Sequence, residues 1–210
     1  MVPALSVVSS QKTQKIVSLI CQHIKAKDPA TFVHSVRVEK YAARLAALVS
    51  NDPAFVARVR VASLVHDVGK VGISTLILSK PGQLTPAEFA QIRSHPQIGY
   101  EYLRAFPQLS EIARITLHHH EWYSGMGYPA RLFGEKIPLE ARILCLTDAY
   151  EAMTGKRSYK KPMSPAAALD ELALCSGSQF DPSLVTAFIS LFERRGERAQ
   201  MALAGSMSGQ

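Results

Sequence analysis

The stretch His66-Asp67-Val68-Gly69-Lys70 lies where a helical pattern in the sequence comes to an end. Upstream of it, apolar residues recur at helical spacing from Pro53 to about Asp67. Gly69 then offers a residue at which such a helix can stop. Lys70 follows Asp67 by three residues, a spacing that can bring its ammonium group to the same side as the imidazole and the carboxylate.

Four helices are predicted to begin with the same signature, a capping residue followed directly by proline. The small polar side chain accepts from free N–H groups of the first turn, and proline at the first helical position loses no hydrogen bond. The four pairs are Asp52-Pro53, Thr85-Pro86, Ser164-Pro165 and Asp181-Pro182. These starts predict an all-α fold, and no alternating apolar run is long enough to predict a strand.

The predicted helices leave one long segment without periodicity. Helices are predicted over about 10–26, 31–50, 53–67, 86–93, 97–106, 109–120, 139–154, 165–175 and 182–194. Residues 121–138 contain three glycines and two prolines, which predicts an irregular loop. Loops of this length are uncommon inside a compact domain and are usually functional.

The composition is that of a globular protein. The chain has 210 residues, of which 47% are hydrophobic and 20% charged, which excludes disordered, collagen-like and disulfide-scaffold classes. The net charge of +7 favours an anionic partner such as a nucleotide, a nucleic acid, a phosphate or an acidic lipid. A merely soluble basic surface explains the charge equally well. Because there is no basic run, a nucleic-acid partner is disfavoured.

Cysteine usage and hydropathy bear on the compartment. The three cysteines are scattered without a paired motif, as expected for reduced thiols in a cytosolic protein. The N-terminus lacks the basic region of a signal peptide. No stretch approaches the roughly 18 apolar residues of a membrane span. We therefore expect a soluble, cytoplasmic protein without a membrane partner.

Histidine and aspartate, without cysteine, form the strongest chemical signal. Outside the pair His66-Asp67, the set consists of His34, His95, His118, His119, His120 and Asp148. Imidazole together with carboxylate is a ligand set for Fe, Mn or Zn in a hydrolytic site. Two such metals that share a carboxylate can activate water for a phosphoryl displacement, and Asp67 is the natural bridge.

Each of these residues also has a purely structural explanation. A single histidine is more often a surface or core residue than a ligand, and we assign His23 to that class. The three-histidine run could be a solvated helix end, and Lys70 could interact with a helix dipole. Asp148 could pair with Arg142. The joint occurrence of all these groups favours the metal site.

Further motifs follow in a fixed order along the chain. His119-His120-Glu121 precedes Gly125-Met126-Gly127-Tyr128-Pro129, and the remaining motifs are His34-Ser35-Val36-Arg37-Val38, His95-Pro96, Arg157-Ser158-Tyr159-Lys160 and Phe180-Asp181-Pro182. Together with His66-Asp67, this ordered set resembles the HD-GYP branch of the HD-domain metal phosphohydrolases. The resemblance covers about residues 30–190.

The resemblance implies an all-α HD-domain helical bundle with an irregular GYP loop. The HD-GYP domain would span 29–194, after an N-terminal helix and lead-in at 1–28 and before a flexible tail at 195–210. Its implied activity is hydrolysis of cyclic di-GMP to linear pGpG or GMP, with iron or manganese as the metals. Because this fold is expected to take up most of the chain and to leave no room for a sensor domain, we expect regulation through a protein partner, an interaction surface or the expression level.

The resemblance also implies roles for individual residues. The catalytic residues would be Asp67, which bridges the metals, and Lys70, which contacts the phosphate. The metal ligands would be His34, His66, Asp67, His95, His119, His120 and Asp148. The substrate would be bound by Lys70, Tyr128, Pro129, Arg157 and Lys160.

Several positions depart from the family pattern. Trinuclear members carry a glutamate four residues before the first histidine, where this chain has Ala30, so two metals are expected. Ser124 replaces an acidic residue, Arg131 replaces a glycine, and Glu151 stands at the second acidic position of the Asp-x-x-Asp stretch. Changes near ligands can alter activity. Two alternatives therefore stay open, namely a weak or inactive cyclic-dinucleotide sensor or interaction module, and a phosphohydrolase for another cyclic dinucleotide.

Overall fold

Capping side chains start the helices where the sequence indicates. In the computed structural model, which describes residues 10–155 and 161–193, Asp52, Thr85 and Ser164 each accept from a backbone N–H of the following turn. Thr85 and Glu88 form the complete capping box. Asp181 accepts from the backbone N–H of Ser183 at 2.9 Å. The local signature therefore predicts all four helix starts correctly.

The described residues fold into α-helices joined by short 3-10 turns and loops, without a strand. The α-helices are α1 (Gln11–Lys27), α2 (Pro29–Val49), α3 (Pro53–Val65), α4 (Thr75–Leu78), α5 (Pro86–Arg93), α6 (His95–Arg104), α7 (Ser110–His118), α8 (Leu139–Thr154), α9 (Pro165–Leu174) and α10, whose described part is 182–193. The prediction of an all-α fold is confirmed.

Some boundaries differ from the predicted ones. Helix α2 begins at Pro29 because Asp28 accepts from the backbone N–H groups of Ala30 and Thr31, a fifth cap-proline start that the sequence reading missed. Helix α3 ends at Val65, and a 3-10 turn over Val68–Gly72 carries the chain onward. The short helix α4, which the sequence did not predict, follows this turn.

Two apolar clusters share three central helices. One cluster joins α1, α6 and α7 to α2, α3 and α8, and the other joins α9 and α10 to the same three helices. Helix α1 contributes Val17, Ile20 and Ile24 to the first cluster, so residues 11–27 pack against the rest of the bundle. The proposed domain division at residue 28 stays a prediction. None of the described helices is long and apolar enough to cross a membrane.

Candidate metal centre

The structure brings the seven predicted metal ligands together from five elements. His34 lies on α2 and Asp148 on α8, while His66 and Asp67 directly follow α3. His95 is the first residue of α6, and His119 and His120 directly follow α7. Because most of these positions are helix ends, the side chains converge from the periphery of the bundle onto one point.

The ligand atoms form three overlapping groups. Within each group, one nitrogen or oxygen of every member lies within 4.8 Å of the others. The groups are His34, His66 and Asp148; His66, Asp67 and His119; and His95, His119 and His120. The described residues therefore contain a histidine and aspartate cluster that could hold metal ions.

Asp67 lies between the group that contains His34 and the group that contains His95, with one carboxylate oxygen toward each. Its Oδ2 is 3.4 Å from His66 Nε2 and 4.0 Å from His34 Nε2. Its Oδ1 is 3.3 Å from His95 Nε2. This is the arrangement that a carboxylate bridge between two metals requires.

Three of the histidines are oriented by the same local device. The Nδ1 of each donates to the backbone carbonyl three residues earlier: His66 to Ser63 at 2.8 Å, His95 to Ile92 at 2.8 Å and His119 to Thr116 at 2.5 Å. Because a carbonyl can only accept, Nδ1 must carry the hydrogen. The Nε2 atom of each ring is therefore left with its lone pair facing the centre.

Two buried polar atoms of the centre lack hydrogen-bond partners, which fits the binding of metal ions. Both His66 Nε2 and Asp67 Oδ1 are buried without a hydrogen-bond partner. A buried polar atom without a partner costs about 1–3 kcal/mol. Metal ions bound in this centre would give each of the two atoms a partner.

The charge states of the ligands also suit a divalent cation. Burial holds the pKa of His95 at about 3 and that of His120 at about 4, and it lowers the pKa of His119 as well. For Asp67, burial opposes ionisation, but Lys70 and the surrounding histidines hold its pKa well below the usual range. Neutral imidazoles and ionised carboxylates are the ligand forms that a metal needs.

His34 differs electrostatically from the other histidines. Burial lowers its pKa, but hydrogen bonds to Asp148 and Glu151 outweigh this effect and raise the pKa to about 9. Its Nε2 lies 2.8 Å from Asp148 Oδ1. His34 therefore favours the protonated form without metal, and its Nε2 must lose a proton before it can bind a metal.

Lys70 lies beside the bridging carboxylate. Its Nζ is 2.7 Å from Asp67 Oδ2, and the side chain is one quarter exposed. The ammonium group therefore lies between the buried carboxylate and solvent.

The loop over residues 121–138 is held by a buried carboxylate that the sequence reading did not single out. Glu121 accepts from the backbone N–H groups of Ala130 at 2.6 Å and Leu132 at 3.1 Å. A Cβ at Gly127 would lie 2.2 Å from the backbone nitrogen of Trp122, so this close approach requires glycine. The only available signal was the position of Glu121 directly after the two histidine ligands.

Tyr128 contacts both His120 and Arg93 with its ring. Its ring lies 4.9 Å from that of His120 with an angle of 28° between the planes. The guanidinium carbon of Arg93 lies over the Tyr128 ring, 4.3 Å from its centroid. Arg93, at the end of α5, is a further residue that the sequence reading missed, because only the folded chain brings it to the loop.

The remaining residues named in the sequence analysis have four different outcomes. Pro129 lies exposed on the loop. Arg157 and Lys160 lie outside the described residues. Arg142 pairs with Asp181 at 2.5 Å, so the structural explanation that paired it with Asp148 is wrong. His118 points to Glu121, with 3.5 Å between Nδ1 and Oε1.

The fold and the ligand groups match a known class of protein. Residues 18–184 match the family model described as the HD domain. The chain therefore belongs to the HD-domain family, and the resemblance to its HD-GYP branch is confirmed.

Individual relatives narrow the comparison. A cyclic di-GMP phosphodiesterase of Vibrio cholerae is 35% identical over 200 residues, which cover 87% of this chain and 41% of that protein. A 3'3'-cGAMP-specific phosphodiesterase 2 of the same organism is 37% identical, over 83% of this chain and 34% of the relative. The chain thus spans less than half the length of these two relatives.

A solved structure supports the fold. The HDG"Y"P protein Bd1817 of Bdellovibrio bacteriovorus superposes with a TM-score of 0.65 at 20% identity. The superposition covers 85% of this chain and 60% of that one. At this identity the likeness concerns the helical architecture alone.

Proposed function

We propose that this protein hydrolyses cyclic di-GMP, to linear pGpG or to GMP, at a dinuclear metal centre. The observation that carries the proposal is Asp67, whose two oxygens face different histidine groups, 3.4 Å from His66 and 3.3 Å from His95. When bound, two divalent ions, iron or manganese, would supply Lewis acidity and lower the pKa of a water at neutral pH.

The chain's own residues would bind and orient the substrate. Lys70 would hold a phosphate oxygen as a point charge, and its contact with Asp67 keeps the ammonium group beside the metals. All five histidines of the centre, His34, His66, His95, His119 and His120, are ligands in this proposal, so none of them serves as general base. Val65 and Val68 are buried beside the motif and exclude water from this side.

The substrate pocket is proposed from the loop and from the resemblance. Tyr128 and Pro129 would shape it, and Arg157 and Lys160 would contact the guanine or the phosphate. The net charge of +7 would attract the dianionic dinucleotide. We further propose a cytoplasmic location and control by a regulatory protein partner, with no membrane or nucleic-acid partner.

A second substrate has specific support. A relative named as a 3'3'-cGAMP-specific phosphodiesterase is 37% identical to this chain, which is as similar as the relatives named for cyclic di-GMP. Initial rates on cyclic di-GMP, 3'3'-cGAMP and cyclic di-AMP at equal concentration would rank the substrates. Faster hydrolysis of 3'3'-cGAMP would change the proposed substrate, whereas the proposed reaction would stay the same.

The proposal is tested by metal analysis together with product formation. Protein purified without oxygen should contain about two Fe or Mn ions per chain and release pGpG or GMP from cyclic di-GMP. Asp67→Ala should lose both metals and turnover, whereas His23→Ala, which changes an exposed histidine, should retain them. Binding of cyclic di-GMP by the metal-loaded protein without product over hours would favour the sensor instead.

A further inference from the structure

We infer that Glu151 is the positioning residue of His34, and thereby of the ligand group formed by His34, His66 and Asp148. This inference rests on the metal centre proposed above. It concerns the histidine whose ring is oriented differently from the three described before: His34 donates from Nδ1 to the side-chain carboxylate of Glu151, not to a backbone carbonyl.

The contact fixes the direction of the imidazole ring. Because a carboxylate oxygen accepts, the hydrogen of His34 is held on Nδ1, and the opposite nitrogen Nε2 faces the centre. There it lies 2.8 Å from Asp148 Oδ1 and 4.0 Å from Asp67 Oδ2. A carboxylate behind a metal-ligating histidine fixes its orientation and raises its basicity.

Helices α2 and α8 meet through two pairs with the same spacing. On α2, Arg37 follows His34 by three residues, and on α8, Glu151 follows Asp148 by three residues. His34 contacts both acidic side chains, and Glu151 contacts both His34 and Arg37. Removal of Glu151 therefore frees the ring of His34 without removing a ligand.

The carboxylate of Glu151 is itself confined. The side chain is 4% exposed, and its Oε1 lies 3.4 Å from Arg37 Nη1. A Cβ at Gly155 would lie 2.5 Å from the same Oε1, so glycine at this position leaves the space that the carboxylate occupies. The confinement places Oε2 at His34.

An ion pair with Arg37 alone does not account for this position. Arg37 is 45% exposed, and such pairs contribute little because solvent screens them. The contact to His34 is the shorter of the two and is shielded from solvent, since the His34 side chain is 11% exposed. Of these two contacts, the one to His34 is therefore the less screened by solvent.

The test measures metal binding directly and does not depend on turnover. Apo protein is titrated with Mn²⁺ by calorimetry, and the metal content of loaded protein is measured by mass spectrometry. Wild type should bind about two ions. Glu151→Ala should bind one of them about 10–100-fold more weakly, as should His34→Ala, the reference for loss of the ligand itself. Glu151→Gln should retain both ions, because its amide oxygen can still accept from Nδ1.

Matched controls separate positioning from a general loss of a buried carboxylate. Glu39 on α2 is also buried and pairs with Arg60 at 2.5 Å, so Glu39→Ala should bind two Mn²⁺ ions with wild-type affinity. Gly155→Ala leaves Glu151 chemically intact but occupies its space, and it should weaken one ion in the same way as Glu151→Ala. If circular dichroism shows that Glu151→Ala is unfolded, the Mn²⁺ affinity of Gly155→Ala becomes the test of the inference.

The possible failures are distinguishable. Two ions bound at wild-type affinity by a folded Glu151→Ala variant, or by Gly155→Ala where Glu151→Ala is unfolded, would overturn the role of Glu151 and leave the metal centre intact. An equal loss in Glu151→Gln and Glu151→Ala would overturn the hydrogen bond as the cause. Wild type that binds no Mn²⁺ or Fe²⁺ would overturn the proposed centre, and this inference with it.

Discussion

The Nε2 atoms of His95 and His119 lie 3.2 Å apart in the buried centre. Both rings donate from Nδ1 to backbone carbonyls, and burial lowers the pKa of both. Two lone pairs therefore face each other, an arrangement that only a hydrogen or a cation between them can stabilise. The fold thus holds this pair in an unfavourable geometry until a cation binds.

Metal loading should therefore raise stability. At Mn²⁺ about 100-fold above its dissociation constant, binding contributes about 2.7 kcal/mol, which for a chain of this size raises Tm by about 5–10 °C. Differential scanning calorimetry of apo and loaded protein measures the change. His119→Ala should lose most of the rise, and an equal rise in this variant would contradict the explanation.

Tyr128 is expected to hold His120 by stacking rather than through its hydroxyl group. Tyr128→Phe should keep wild-type metal affinity, whereas Tyr128→Leu should weaken it, since an aromatic pair contributes about 0.5–1.5 kcal/mol. Mn²⁺ titration of both variants provides the measurement. Equal loss in both would show that the hydroxyl group matters and that stacking on His120 does not.

Glu121 is expected to order the loop. Glu121→Gln leaves one acceptor oxygen where two backbone N–H groups need one each, which should cost about 1–2 kcal/mol. Urea unfolding measures this loss of free energy. Glu140→Gln, at a partly exposed pair with Arg58, is the control and should cost less than about 1 kcal/mol. A smaller effect at position 121 than at 140 would refute the role assigned to Glu121.

Gly69 should tolerate no side chain. A Cβ at this position would lie 1.9 Å from the backbone oxygen of His95, which α6 holds in place. Gly69→Ala should therefore cost at least the upper end of the about 1–3 kcal/mol that overpacking costs, and it should displace His95. Gly72→Ala meets only a side-chain atom of Ile98 at 3.2 Å and should cost much less. Comparable urea midpoints for the two variants would disprove this.

Local signals in the sequence predict the fold well, but they do not predict the contacts between segments that are distant in the chain. The cap at Asp52 and the proline after it act within one turn, so the start of α3 can be predicted from neighbours alone. Gly69 was interpreted as a helix end, but its reason is the close approach of His95, which only the packing of α6 reveals. The contact of Arg93 with Tyr128 could not be predicted for the same reason, because it joins α5 to the loop.

The site divides in the same way. Residue types and their order indicate the ligands, since imidazole and carboxylate without cysteine have a defined metal chemistry. The sequence did not indicate how the ligands are oriented. The carbonyl of Ser63 behind His66 follows from helix-end geometry, and Glu151 behind His34 follows from the packing of α2 against α8.

Both apolar clusters share α2, α3 and α8, so the order in which the helices are synthesised determines when the centre can form. His34 leaves the ribosome early on α2, but its partners Asp148 and Glu151 follow only with α8. By then α6 and α7 have already emerged with His95, His119 and His120. A nascent chain can thus assemble the two groups that contain His119 well before the group formed by His34, His66 and Asp148. The complete centre forms only once α8 packs between the two clusters.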